Sequence, residues 1–259
     1  MGGGIIGFSD SSSTSTKKGE TLADTMSMVS RYVDAIVMRH PRDGAARLAA
    51  DHSLVPIING GDGANQHPTQ TFLDLSTIDD FFPGRLENGP PLLVALAGDL
   101  RYGRTVHSLA QALTHFQAEI ILSPVPGLEM PVHHIEHLQA AGITVHADTS
   151  LAEAAKNADV LYMTRLQRER FADPVEFDHV SADYCLTGEM LQHAKPGLRV
   201  LHPLPRVKEI SAEVDGTPHA AYFEQAGNGV AVRQAVLALV MGRLDPDHLP
   251  QVSPSKAGT

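Results

Sequence analysis

Leu92-Leu93-Val94-Ala95-Leu96-Ala97 continues into Gly98-Asp99-Leu100-Arg101-Tyr102-Gly103-Arg104-Thr105-Val106-His107-Ser108, and this stretch reads as a strand, a glycine-bounded loop and the start of a helix. The apolar run is far shorter than the roughly 18 to 20 residues that cross a bilayer. The helical spacing of apolar residues then holds from Gly103 to Leu113. The same unit recurs along the chain. Short β-rich runs at Ile5 to Phe8, Ala35 to Met38, Val55 to Ile58, Ile120 to Leu122, Ile143 to His146, Val160 to Met163 and Leu198 to Leu201 read as further strands. Helical patterns cover Thr21 to Tyr32, Gly44 to Asp51, Pro68 to Ile78, Pro131 to Ala141, Leu151 to Asn157 and Val230 to Arg243. Strands alternating with helices predict an α/β fold of open parallel sheets covered by helices. The turn-rich segment from Phe82 to Pro91 predicts a boundary between two such domains, 1–83 and 84–224, with a ligand cleft between them. The Pro- and Ser-rich residues 245–259 read as a disordered tail.

Composition narrows the function. The chain has 259 residues, 42% of them hydrophobic, enough for one large or two ordinary cores. The 20 Lys and Arg stand against 30 Asp and Glu, and the net charge of −10 repels nucleic acid and anionic membrane unless cations are gathered locally. No basic run gathers them. The N-terminus lacks a basic stretch followed by an apolar one. Cys185 is the only cysteine, which excludes an intrachain disulfide and a multi-thiolate zinc site and points to a reducing, cytoplasmic location.

In open α/β sheets, ligands bind beyond the carboxyl ends of the strands. The chemistry-bearing residues follow that rule. Arg39 follows the strand at Ala35, Asn59 to His67 follow the one at Val55, and Asp99 to Arg104 follow Leu92 to Ala97. Arg165 follows Val160 to Met163, and His202 to Arg206 follow Leu198 to Leu201. Gly61-Asp62-Gly63-Ala64-Asn65-Gln66-His67-Pro68-Thr69-Gln70 places a His and a Gln on a glycine loop where a helix begins. There the backbone can approach a ligand closely and the free N–H groups favour an anion.

Five islands, taken in order, carry a resemblance: Lys17 to Thr21, Met38 to Pro41, Gly61 to Leu75, Gly98 to Ser108, and Met163 to Arg170 with His202-Pro203-Leu204-Pro205-Arg206. From about Gly3 to about Leu244 the chain closely resembles the catalytic chains of aspartate carbamoyltransferases. The resemblance implies attack of the L-aspartate amino group on the carbonyl carbon of carbamoyl phosphate, with no cofactor and no metal, in pyrimidine biosynthesis. Such a site must supply cations for a phosphate and two carboxylates, and donors for the carbonyl oxygen as it becomes an oxyanion. By resemblance, Arg39 and His67 polarise that oxygen. Gln70 and the carbonyl of Leu204, ahead of Pro205 in a cis peptide, hold the carbamoyl nitrogen. Arg104, Arg165 and Gln167 bind the aspartate carboxylates, a task suited to the guanidinium fork. Ser15 and Lys18 resemble a loop that reaches into a neighbouring subunit's site, which implies a homotrimer with shared active sites. A separate regulatory chain is a further implied partner. The C-terminal helix, 225–244, is expected to return and complete the first domain. Pro203, where ornithine-specific members carry Cys, favours aspartate as acceptor.

Plainer readings compete at several positions. Asp62 and Asn65 suit turn formation rather than substrate contact. His67 could be a helix-start histidine bonded locally, and Arg39 a surface ion pair. Arg206 reads as shaping its loop and assisting aspartate binding. His133-His134-Ile135-Glu136-His137 matches the H-x-x-E-H pattern of a zinc helix but reads as adventitious surface histidine.

Members of the family open with a strand, a helix and a Ser-Thr-x-Thr-Arg phosphate loop, and this sequence has no such motif. The expectation is therefore a carbamoyl-phosphate-binding domain that is N-terminally incomplete, with the phosphate loop in upstream codons. The alternative is a catalytically impaired chain that binds a dicarboxylate or partners a complete catalytic chain.

Overall fold

The computed structural model describes residues 2–8, 19–166 and 184–244. Contacts divide the chain into two compact units, one built from residues up to Thr69 and from Val230 onward, the other from Gln70 to Gly229.

The first unit pairs two parallel strands, β1 (Ile36–His40) and β2 (Ile57–Asp62), in the register Ile36↔Ile57. Two helices accompany them, α1 (Leu22–Val29) and α2 (Ala45–His52). Thr21 starts α1 by accepting the Asp24 N–H on its hydroxyl at 3.1 Å, which satisfies one of the donors a helix leaves open. Met26, Met38, Ala45 and Ala49 form the buried centre, flanked by Leu22, Ile36 and Ile57.

The second unit holds a parallel five-stranded sheet in the order β5-β4-β3-β6-β7: Thr144–His146, Ala118–Pro124, Leu92–Gly98, Val160–Met163 and Arg199–Leu201. Successive side chains on a strand point to opposite faces. Val94, Leu96, Ile120 and Tyr162 accordingly face α4 (Arg104–Leu113) and α5 (Val132–Ala140), where Val106, Leu109, Leu113 and Leu138 meet them. Ala95, Ala97, Leu161 and Met163 face the other way, onto Leu151, Ala154 and Ala155 of α6 (Leu151–Asn157), Leu191 of α7 (Gly188–Leu191) and Tyr222. A strand buried on both faces has no polar side to show, and Leu92 to Ala97 is apolar throughout for that reason.

The α/β architecture and the parallel sheets match the sequence reading, and the differences have physical causes. Ile5 to Phe8 form no strand; Ile5, Ile6 and Phe8 are exposed, and a strand needs a hydrogen-bonded neighbour and a buried face. Helix α8 (Tyr222–Val240) starts eight residues before Val230, where the apolar spacing begins, and includes Gln225-Ala226-Gly227-Asn228-Gly229. Interior glycines weaken a helix by about 1 kcal/mol each, and the burial of Tyr222 and Gln225 offsets that. Helix α3 (Pro68–Phe81) runs past residue 78, and from Gln70 onward its contacts group it with the second unit. Ile78, Leu75, Phe81 and Phe82 all pack into the second sheet's core, whereas turn composition marked only the end of the helix. Val230 onward groups with the first unit.

Candidate functional site

In the first unit, Arg39 is the penultimate residue of β1 and is exposed, while His67 immediately precedes α3, with Pro68 at the helix's first position. The turn between β2 and His67 is built around Asp62, 2% exposed. Its carboxylate accepts from Asn59 Nδ2 at 2.9 Å, Asn65 Nδ2 at 3.1 Å, Gly44 N at 2.9 Å and Gln66 N at 3.2 Å. Burial raises this carboxyl's pKa, but the four donors outweigh it and hold it below the ordinary aspartate value. Asp62 and Asn65 are thus occupied in shaping the turn. Gly63 is obligatory here. It has φ +53°, and a Cβ would lie 1.7 Å from Asp43 Oδ1, the atom that accepts the Ala64 N–H at 2.8 Å. The turn delivers His67 half-buried, with Thr69 Oγ1 3.4 Å from its Nδ1.

In the second unit, β3 lies between β4, reached through α4, and β6, reached later in the chain. The strand order reverses between β3 and β6, and the crevice beyond such a reversal is where α/β sheets bind ligands. Two sequence-predicted residues stand there. Arg104 opens α4 after the β3 loop, and Arg165 follows the end of β6 by two residues; both are half-buried. Thr164 ties the two strand ends together. Its N–H and hydroxyl both donate to Ala97 O, at 2.9 and 3.1 Å, and its Oγ1 accepts the Asp99 N–H at 3.0 Å. Gly98 lets them approach: its φ is +110°, and a Cβ would meet Thr164 Oγ1 at 2.5 Å. Asp99 Oδ1 caps the loop by accepting from Arg101 N at 3.1 Å and Tyr102 N at 2.9 Å, and His107 Nε2 lies 2.7 Å from Leu100 O.

Beyond β7, the loop from His202 to Glu209 is clamped by a buried pair. His202 and Glu209 are 1% and 3% exposed, with Nε2 2.8 Å from Oε1. His202 Nδ1 accepts the Leu204 N–H at 2.8 Å, which places the proton on Nε2, facing Glu209. Leu204 stands at φ +53°, and Leu204-Pro205 is cis, as the resemblance implied. Arg206 directs both terminal nitrogens at the Asp215 carboxylate and also donates to the Tyr222 hydroxyl at 3.0 Å, so it is held within its own unit.

A buried carboxylate that sequence reasoning passed over ties α3 to β6 and α8 within the second unit. Asp74, fully buried in α3, accepts from Gln70 Nε2 at 2.8 Å, Gln225 Nε2 at 2.6 Å and the Tyr162 hydroxyl at 2.9 Å. Burial pushes its carboxyl up to about 7, against the pull of Gln225, Tyr162 and Gln70. An ordinary aspartate titrates near about 4. Between about 4 and about 7 the unfolded chain has therefore released a proton that the folded chain keeps, and stability falls as pH rises through that window. Asp74→Asn carries no such proton. Its stability relative to the unsubstituted chain is expected to rise with pH by up to about 1.4 kcal/mol per pH unit in the window and level off above it. Thermal melts of both proteins from pH 4.5 to 8 check this; a pH-independent difference contradicts it. The signal available in sequence was an acid flanked by Leu73 and Leu75, one helical turn after Gln70.

His133, His134 and His137 of α5 join His107 of α4 around a pocket of about 290 Å³. Burial, then His107, His133 and His137, lowers His134 to about 4, leaving that imidazole neutral. Among the described residues no group of three or more His, Cys, Asp or Glu is arranged to hold a metal ion. Ser15, Lys18 and Gln167 lie outside the described residues.

Comparison with known proteins identifies the family. Residues 1–80 match the carbamoyl-P binding domain of aspartate/ornithine carbamoyltransferases, and residues 92–240 match their Asp/Orn binding domain. The aspartate carbamoyltransferase catalytic subunit of Chromobacterium violaceum is 57% identical over 241 residues, covering 93% of this chain and 78% of that protein. The catalytic subunit of aspartate transcarbamoylase from M. Jannaschii superposes with a TM-score of 0.80 at 44% identity, over 91% of this chain and 75% of the other. Aspartate transcarbamoylase from Trypanosoma cruzi, solved in complex with carbamoyl phosphate and aspartate, gives 0.80 at 39% identity, over 91% and 74%. Matched in both domains and along nearly its whole length, the chain belongs to the aspartate/ornithine carbamoyltransferase family.

Proposed function

We infer that this chain is the catalytic subunit of an aspartate carbamoyltransferase, and the observation that carries the reading is 57% identity to such a subunit across both domains. In the reaction the amine of L-aspartate attacks the carbonyl carbon of carbamoyl phosphate. A C–N bond forms, the C–O bond to phosphate breaks, phosphate leaves with the bonding pair, and the amine gives up a proton. No covalent intermediate with the protein is needed. Catalysis then rests on positioning and on stabilising charge as it moves onto the carbonyl oxygen and the leaving phosphate.

Arg39 and His67 donate to the carbonyl oxygen in this reading, and Arg39 also meets the phosphate. Gln70 and Leu204 O receive the carbamoyl N–H groups. Arg104 and Arg165 bind the aspartate carboxylates, together with Gln167. Their support is residue type and placement: each described member sits at a strand end, a helix start or the clamped loop after β7. Ser15 and Lys18 complete a neighbouring subunit's site within a homotrimer, and a regulatory chain associates with that trimer. The reducing cytoplasm suits a chain whose one thiol is Cys185. No helix among the described residues is long and apolar enough to cross a membrane.

The test is direct. Incubation of the purified chain with labelled carbamoyl phosphate and either L-aspartate or L-ornithine is expected to yield N-carbamoyl-L-aspartate and no citrulline. Product from ornithine, or none from aspartate by a folded protein, contradicts the assignment.

A further inference from the structure

Asp74 fixes which end of the Gln70 amide is available to a ligand. Its Oδ1 receives both Gln70 Nε2 and Gln225 Nε2, at 2.8 and 2.6 Å. The orientation of Gln225 is forced, because its Oε1 accepts the buried His202 N–H at 2.7 Å and only its nitrogen remains for Asp74. Gln70 is forced by repulsion. Turned over above about pH 7, where Asp74 is ionised, its oxygen would stand against a carboxylate oxygen in a fully buried site, two acceptors with no proton between them. The second carboxylate oxygen is held by the Tyr162 hydroxyl at 2.9 Å, and Tyr162 is in turn within reach of Thr105, beside Arg104.

The outward end of Gln70 is therefore an acceptor. A carbamoyl group presents an NH2 with two donors, whereas an acetyl group of nearly the same size presents a methyl. An acceptor oxygen satisfies the first and is left dry and unpaired by the second, a difference that binding sites convert into large discrimination.

We propose that Asp74 is a positioning and specificity-determining residue: it locks Gln70 as an acceptor for the carbamoyl nitrogen and, through Gln225, anchors the His202 end of the loop that carries Leu204. This rests on the reading of the chain as a carbamoyltransferase. The consequence is discrimination between carbamoyl phosphate and acetyl phosphate, which a purely structural residue would not alter.

Asp74→Leu removes the acceptor at similar volume and frees the Gln70 amide to turn over. Asp74→Asn retains an oxygen for both glutamines, and the Tyr162 hydroxyl can rotate to accept from the new amide nitrogen. Affinities for carbamoyl phosphate and acetyl phosphate are measured by calorimetry, with KM and kcat alongside. Asp74→Leu is expected to weaken carbamoyl phosphate about 10- to 100-fold and acetyl phosphate less than about threefold. Asp74→Asn is expected to keep the ratio of the two within about threefold of the unsubstituted value. Equal losses for both ligands, or unchanged discrimination in Asp74→Leu, overturn the proposal.

One measurement needs neither folding of the leucine variant nor activity. In the unsubstituted chain, NMR should show the side-chain amide protons of Gln70 and Gln225 shifted downfield and protected from exchange. Signals for Gln70 at the position of a solvated amide overturn the clamp. Failure of the unsubstituted protein to bind carbamoyl phosphate, with those signals shifted, instead overturns the carbamoyltransferase reading.

Discussion

Arg39→Ala is expected to lower kcat by about 100- to 1000-fold, the usual consequence of removing one preorganised donor to a developing oxyanion. Several observations make the effect separable from folding. Arg39 is exposed near the end of β1, and exposed substitutions away from caps and buried pairs ordinarily change stability by less than about 0.5 kcal/mol. Met38, its neighbour in sequence, carries the packing instead, buried with Met26, Ala45 and Ala49. The variant should therefore melt with the unsubstituted chain while losing rate. Because Arg39 is also assigned to the phosphate, KM for carbamoyl phosphate should rise, whereas KM for aspartate should change little. Arg39→Lys should recover only part of the loss, since a lysine ammonium cannot reproduce two divergent donors of the guanidinium. His67→Ala should fall in the same range, and the double substitution should cost less than the product of the two, because both act on one oxygen. Steady-state rates with each substrate varied decide the matter; a kcat within tenfold of the unsubstituted value sinks the assignment of Arg39.

The sequence was most legible where one physical demand acted alone. Leu92 to Ala97 had to be apolar on both faces, so composition by itself gave β3, and Val160 to Met163 gave β6 to the residue. Arg104 and Arg165 follow these strands at the positions where open α/β sheets bind ligands. Legibility failed where two demands competed. The helical spacing of apolar residues was clear only from Val230, yet the helix begins at Tyr222 and buries Tyr222 and Gln225, so packing carries it through Gly227 and Gly229. The turn-rich segment from Phe82 to Pro91 was read as a domain boundary, and nothing local said that Leu75, Ile78 and Phe81 just before it pack against the second sheet's core. Asp74, Gln225 and Glu209 were missed for a related reason. Asp74 and Gln225 meet across a separation of 151 positions, and no spacing rule reaches that far; Glu209 lies only seven positions from His202, but their pairing depends on the turn between them. The resemblance covered the positions assigned to ligands and passed over the residues that hold them in place.

Those supporting residues should produce the largest stability effect. Glu209→Ala is expected to destabilise the fold by about 2 to 4 kcal/mol, because a buried carboxylate that accepts several charge-assisted hydrogen bonds is lost and its donors are left unpaired, and to lower Tm by roughly 10 °C. Glu209 Oε1 faces His202 Nε2 at 2.8 Å, and the carboxylate also accepts the N–H groups of Val207 at 3.2 Å and Lys208 at 3.1 Å. Alanine leaves the imidazole N–H buried without an acceptor and opens the turn that returns the chain from Arg206. Glu209→Gln should cost less, about 1 to 3 kcal/mol, because one amide oxygen survives while the amide nitrogen is set against backbone donors. The pH dependence distinguishes the charge from the shape. Burial raises the Glu209 carboxyl, but His202 and the loop N–H groups outweigh it and hold it below the ordinary glutamate value. A carboxyl depressed in the folded chain contributes stability that is present above its unfolded pKa, near about 4.3, and is lost as pH falls through the lower folded value. The gap between the unsubstituted chain and Glu209→Gln should therefore be widest above about pH 5 and close as acid protonates Glu209. Denaturant titrations at pH 7 and pH 4 measure it. A gap that is the same at both would mean the carboxylate's charge contributes nothing to holding the loop that presents Leu204.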